Sequence, residues 1–175
     1  MGIFTNSIFP ASGEAGNGGG IIQIKFARKN DTFSQSLAQG NESNVCMSVS
    51  MACQSSSNKV IIFYSCNMSC DNDNRNATRL TVDGTAPDAA RGDAYGNGQF
   101  RASTAGNNSS VSVMSPHSLV FVHEPNDTNS HTYGIQLKHG RNNNATVFLN
   151  RASDMGSGSD RDSAASFMLA MEVSS

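Results

Sequence analysis

Beyond residue 20, apolar side chains recur at every second position, the signature of strands with one buried face. Ile22, Ile24 and Phe26 alternate with Gln23 and Lys25. Val45, Met47, Val49 and Met51 alternate with Cys46, Ser48 and Ser50. Leu80 and Val82 flank Thr81, and Val111 and Val113 flank Ser112. Tyr133, Ile135 and Leu137 alternate with Gly134 and Gln136, Val147 and Leu149 bracket Phe148, and Phe167, Leu169, Met171 and Val173 close the chain. Two stretches are apolar without interruption. Leu119 to Val122 is a compact run, and Val60 to Tyr64 predicts a central strand covered on both faces. Clusters of Asn, Asp, Gly and Ser separate these segments, and none shows sustained helical periodicity.

The expected fold is therefore all-β: a jelly-roll-like antiparallel β-sandwich of about nine or ten strands with an extended N-terminal arm. Two loops are long, Asp83 to Gly98 and Arg151 to Ala165, a length often associated with function. Residues 21–175 form the expected sandwich domain. Residues 1–20 read as a separate arm and linker, rich in glycine at positions 13, 16, 18, 19 and 20. Its apolar residues Ile3, Phe4, Ile8 and Phe9 are costly to leave in water and form a candidate docking arm that anchors to a neighbouring subunit.

Composition narrows the functional classes. Only 15% of the 175 residues are charged and the formal net charge is −2, well below the usual charged fraction. Asn, Ser, Gly and Thr carry the polarity, which suits turns and loops more than helices. With no basic face, nucleic-acid binding has little support. No apolar run approaches the ~20 residues that span a bilayer, so membrane insertion is not expected. The first residues lack a charged segment followed by an apolar one, so no secretory leader is expected. The four cysteines, Cys46, Cys53, Cys66 and Cys70, are expected as thiols, although two disulfides in any of three pairings are compatible with the sequence.

No chemistry-bearing constellation stands out. His117, His123, His131 and His139 match no metal or catalytic spacing, although His123 and His131 could meet across a hairpin. Cys46 and Cys66 fall in strands, where burial as small apolar groups is expected. Asp71 to Arg75 lacks the glycine and third ligand of a calcium loop and reads as a hairpin turn. Arg91-Gly92-Asp93 also reads as turn chemistry. The sequons at Asn41, Asn67, Asn76, Asn107, Asn108, Asn126 and Asn144 follow from composition. Asp154, Asp160 and Asp162 lie in a Gly/Ser-rich loop, a poor support for a catalytic carboxylate pair. The expectation is a non-enzymatic protein without catalytic residues, cofactor or metal. One loop, with Tyr95, Asn97, Gln99 and Phe100, pairs aromatic with amide side chains and is a candidate ligand loop for sugars.

Three stretches resemble short β-rich virion structural and fibre-tip proteins of tailed bacteriophages, of the marine and cyanophage-like kind. They are Gly20 to Ser34 (GIIQIKFARKNDTFS), Tyr133 to Arg151 (YGIQLKHGRNNNATVFLNR) and Phe167 to Val173 (FMLAMEV). The second is similar to a hairpin ending in an aromatic-x-Asn-Arg strand. The cysteine cluster and the long Asp83–Gly98 loop depart from that pattern. The resemblance implies a jelly-roll-like fold, a homo-oligomer (a trimer by analogy of fold) and a place on the virion, assembled in the host cytoplasm. The expected function is head decoration, head fibre or tail-fibre component, acting through self-association and docking of the arm onto a capsid or tail subunit. The alternative is a receptor-binding tip that recognises host-surface glycans.

Overall fold

A computed structural model describes residues 20–71, 75–93, 101–107, 112–139, 144–154 and 163–175. It contains ten strands: β1 (Ile21–Lys29), β2 (Phe33–Leu37), β3 (Met47–Ala52), β4 (Lys59–Cys70), β5 (Arg75–Val82), β6 (Thr104–Asn107), β7 (Ser115–His123), β8 (Ser130–His139), β9 (Ala145–Leu149) and β10 (Ser166–Val173). A 3-10 turn spans Asp88–Ala90. Among the described residues no helix is long and apolar enough to cross a membrane.

The strands form two antiparallel sheets packed face to face. Sheet A runs β1-β10-β4-β9-β2 with β7 also on β4, and sheet B runs β3-β8-β5-β6. Met68 pairs with Ser115 of β7 and also with Leu149 of β9, so these strands flank β4 on opposite sides. Strands β9 and β10 therefore lie end to end along one side of β4, and β1 and β2 lie end to end beyond them. With each end-to-end pair counted once, sheet A reads (β1,β2)–(β9,β10)–β4–β7. Successive strands cross between the sheets at nearly every connection. This is the two-Greek-key connectivity of a jelly roll.

Buried Asn150 explains how two broken strands hold together. It adopts φ +62°, a left-handed conformation that Asn tolerates better than most residues. Its Nδ2 donates to the carbonyls of Lys29 (2.9 Å) and Asp31 (3.1 Å), where β1 gives way to β2. Its Oδ1 accepts from Ser166 Oγ at the start of β10 (2.5 Å), and its backbone N–H donates to Asn67 of β4 (2.9 Å). One side chain thus ties both breaks to the central strand.

The core between the sheets is built from Met51, Ile62, Tyr64, Met68, Leu80, Tyr133, Ile135, Leu137, Leu149 and Met168. All four cysteines are buried free thiols. Burial pushes the Cys46 thiol up to about 12 and raises Cys66 further still, so neither forms a thiolate near neutral pH. The Glu172 carboxylate is also enclosed. Burial works to raise its pKa, but donors from Asn58 Nδ2, Gln23 Nε2 and the Gln54 backbone, each at 2.6 Å, hold it below the usual range.

Several expectations are corrected. Strands β2 (FSQSL) and β6 (TAGN) carry too few apolar residues to register as alternation; pairing with β9 and β5 makes them strands. Conversely, Ser112 to Met114 form no strand, and Val111 lies outside the described residues. The turn after Asp71 joins β4 of sheet A to β5 of sheet B, so it is an arch between layers and not a hairpin; residues 72–74 lie outside the described residues. Tyr133 to Arg151 is likewise no hairpin, because β8 and β9 belong to opposite sheets. Val60 to Tyr64 lies centrally but is covered on one face only: Val60, Ile62 and Tyr64 are buried, whereas Ile61 and Phe63 are half-exposed because, among the described residues, no layer lies over them.

Candidate interaction face

That uncovered face of β4 belongs to a larger surface. In antiparallel pairs, residues directly opposite share a face of the sheet, so the registers give the outer surface of sheet A row by row. One row is Ile24–Met171–Ile61–Val122, and the next is Phe26–Leu169–Phe63–Val120. Phe167 and Val173 extend the apolar surface at either end on β10. Two complete rows across four strands are thus apolar. Phe26 is 60% exposed and Val120 61%, with Ile24, Val122 and Phe167 also exposed. The aromatic rings of Phe26 and Phe63 lie on either side of Phe167, with centroids 6.3 and 5.6 Å away. Four strands at ~4.8 Å and two rows at ~6.7 Å make a face of roughly 260 Å², which Phe167 and Val173 lengthen to roughly 300 Å². Patches of this size on a single chain commonly mark sites of interaction.

The outer surface of sheet B is built differently. Its rows carry Ser48, Ser50, Thr81, Thr132, Arg79, Gln136 and Lys138. The segment before β3 covers part of it. Glu42 pairs with Arg79 and Lys138, each at 2.5 Å, and Val45 lies against Gly134. A Cβ on Gly134 would come within 2.9 Å of both Thr81 and Val45, so glycine there lets the segment close down. Sheet B is thus polar and partly roofed by its own chain, while sheet A is apolar on its outer face and, among the described residues, uncovered.

Polar side chains gather at the two ends of the sandwich. At one end His123 and His131 do meet, their rings edge-on with centroids 5.4 Å apart. They meet across an arch between sheets, not a hairpin, since β7 and β8 lie in different layers. His131 contacts Asp83 through Nδ1 (2.7 Å) and Asp127 through Nε2 (3.0 Å). The hydrogen bond to Asp83, reinforced by Asp127, raises its pKa above the ordinary histidine value. In its protonated form His131 can donate from both ring nitrogens to these carboxylates, which clamps the β7–β8 arch to the end of β5. Neighbouring His123 is lowered by burial and by the His131 charge, and its Nδ1 lies 2.9 Å from the hydroxyl of buried Tyr133.

At the opposite end a buried chain of hydrogen bonds links Tyr64, Thr78, Thr104, His117 and Asn76, with contacts of 2.6, 2.5, 2.8 and 3.0 Å. Asn76 Oδ1 can only accept, so His117 carries its proton on Nε2 and accepts from Thr104 at Nδ1. Burial lowers His117 to about 4, which keeps it neutral. The Asn76 sequon is filled by this network, and no glycan fits there in the folded chain. Beside it, His139 Nδ1 lies 3.4 Å from Cys70 Sγ. Among the described residues no three His, Cys, Asp or Glu side chains are placed to hold a metal ion.

Other sequence candidates are placed as follows. Arg91 of the Arg-Gly-Asp tripeptide is tied to Asp88, and Gly92 bonds to Ala102 and Arg101. Asp154 is exposed, while Asp160 and Asp162 lie outside the described residues. The docking-arm residues Ile3, Phe4, Ile8 and Phe9, and the ligand-loop residues Tyr95, Asn97, Gln99 and Phe100, also lie outside them. The signal for the apolar face was present in the sequence. Ile61, Phe63, Val120 and Val122 occupy the off-phase positions of the two uninterrupted runs; the reading of Val60 to Tyr64 as doubly covered absorbs the first two.

No protein-family model matches this chain, and no curated protein matches it significantly. What the geometry of the described residues defines is a jelly-roll sandwich with one apolar outer sheet face.

Proposed function

We propose that this protein is a structural component displayed on a virus particle, as head decoration, head fibre or tail-fibre part, which works by self-association and docking of its arm. The observation that carries this reading is the outer face of sheet A. Natural sheets that face water alternate apolar-in with polar-out, and sheet B does so. Sheet A instead presents Ile24, Phe26, Val120 and Val122 outward, an arrangement that promotes aggregation unless another surface covers it. Covering roughly 300 Å² returns on the order of 8 kcal/mol gross, within the range of the entropic cost of bringing two chains together. Association through this face alone is therefore weak for a free pair and effective where many copies are held side by side, as on a particle. The resemblance of Gly20–Ser34, Tyr133–Arg151 and Phe167–Val173 to phage virion proteins points the same way, and jelly rolls recur in viral capsids.

The test is an image reconstruction of a particle that carries this chain. The reading expects projecting jelly rolls, as trimers, with the outer face of sheet A against a neighbouring subunit. A particle without the chain, or one that leaves this face in solvent, contradicts it. Specific glycan binding by an assembly lacking any particle partner would favour the receptor-binding alternative.

A further inference from the structure

We propose that the outer face of sheet A receives residues 1–12 of a neighbouring copy, so that each copy donates its arm to the next; this rests on the self-association reading above. Three observations select that occupant. The first is size. A face of roughly 300 Å² is well under half of what a stable protein pair buries per partner, about 800 Å², and is the width of one or two extended segments. The second is chemistry. Residues 1–13 contain no Asp, Glu, Lys, Arg or His and carry Ile3, Phe4, Ile8 and Phe9. They can lie on the Phe26 and Ile24 rows without burying an unpaired charge, which would be costly. The third is position. The chain enters the fold at Gly20, which is bonded to Ser174 at the edge of sheet A and leads into β1, the strand that carries Ile24 and Phe26 of the face (Gly20 N to Ser174 Oγ, 2.9 Å; Ser174 N to Gly20 O, 3.0 Å).

Reach permits donation. Residues 13–20 include five glycines and span at most about 28 Å when extended, enough to leave the edge of one sheet and enter the face of an adjacent copy. A donated arm makes a head-to-tail contact, which closes into a ring when the rotation allows. A ring of three copies would give every face an arm and every arm a face.

The test uses the full chain with single introduced cysteines; the four native thiols are buried. Phe4→Cys chains bearing an affinity tag are mixed with untagged Val120→Cys chains, reassociated from dilute denaturant, and treated with a short bis-maleimide. The expected result is a tagged–untagged cross-link, absent when Ser50→Cys on the outer face of sheet B replaces Val120→Cys, and loss of the oligomer when residues 1–12 are removed. If the Phe4→Cys/Val120→Cys double variant cross-links only within one chain, each arm covers its own face and the donation is overturned. If the oligomer persists without residues 1–12 and no cross-link forms, the arm inference fails while self-association stands. A chain that stays monomeric at every concentration, arm present or absent, overturns both.

Discussion

Replacing Asn150 tests how the interrupted strands of sheet A are held. In the native fold its amide donates to two main-chain carbonyls, Lys29 and Asp31, and accepts from Ser166 Oγ. Asn150→Gly removes all three bonds yet keeps the positive φ at no steric cost. Each buried polar group left without a partner costs about 1–3 kcal/mol, so three of them cost about 3–6 kcal/mol after partial relaxation. Asn150→Ala loses the same bonds and adds about 1 kcal/mol for a Cβ in the left-handed region. Asn150→Asp keeps the acceptor for Ser166 but turns an anionic oxygen toward two carbonyls, and should cost most. The predicted order of stability is wild type, Gly, Ala, Asp. With total stability for such domains near 5–15 kcal/mol, the Asp variant is expected to fold poorly. Urea unfolding followed by tyrosine fluorescence and circular dichroism reads these differences as shifts in midpoint at constant slope. A Gly variant within about 0.5 kcal/mol of wild type, or an Asp variant more stable than Ala, would refute the claim that this amide stitches the strands.

Three further outcomes are expected. His131 has a folded pKa raised above 6.5 by Asp83 and Asp127, so its clamp contributes fully below pH 6.5 and is lost as pH rises through the folded value; His131→Gln should flatten the fall in urea midpoint between pH 6 and 9, and an unchanged slope would count against the clamp. Glu172→Gln places one amide NH₂ among three converging donors and should cost about 2–4 kcal/mol; since the Glu172 pKa is lowered, the wild-type contribution is present above about 4.5 and fades as acid protonates the group, whereas the Gln variant should lose that acid dependence in urea titrations. All four thiols are buried, so a thiol reagent such as DTNB should find none in the native chain and four after unfolding; rapid native labelling would show that the core opens.

The two-layer β fold was legible because its core strands alternate cleanly: Met47, Val49 and Met51, or Tyr133, Ile135 and Leu137, leave only one face to bury. What alternation could not show was strand pairing. Whether a turn makes a hairpin or an arch depends on which sheet receives the next strand, and the Asn/Asp clusters at 71–74 and 125–130 read the same either way. Strands β2 and β6 escaped notice because partners, not their own residues, make them strands. The apolar face was written in Ile61, Phe63, Val120 and Val122, yet an uninterrupted apolar run reads equally as a doubly buried strand. Only the register across β1, β10, β4 and β7 separates the two readings, because it shows four strands sharing a face that no other layer among the described residues covers. The sequence allowed a meeting of His123 and His131 without requiring it, and its role as a clamp needed the positions of Asp83 and Asp127.

The most direct test of the central claim is sedimentation equilibrium of the full chain beside Phe26→Asp and Val120→Asp. Both side chains are mostly exposed in the single chain, so neither change should lower the melting temperature appreciably. Losing one buried apolar side chain and desolvating a carboxylate at an interface together cost about 3 kcal/mol, roughly a hundredfold in dissociation constant. The account predicts a concentration-dependent oligomer for the wild type, weakened about a hundredfold in each variant. A wild type that remains monomeric at every concentration, or variants that associate as tightly as it does, would contradict the claim that the outer face of sheet A is an interface.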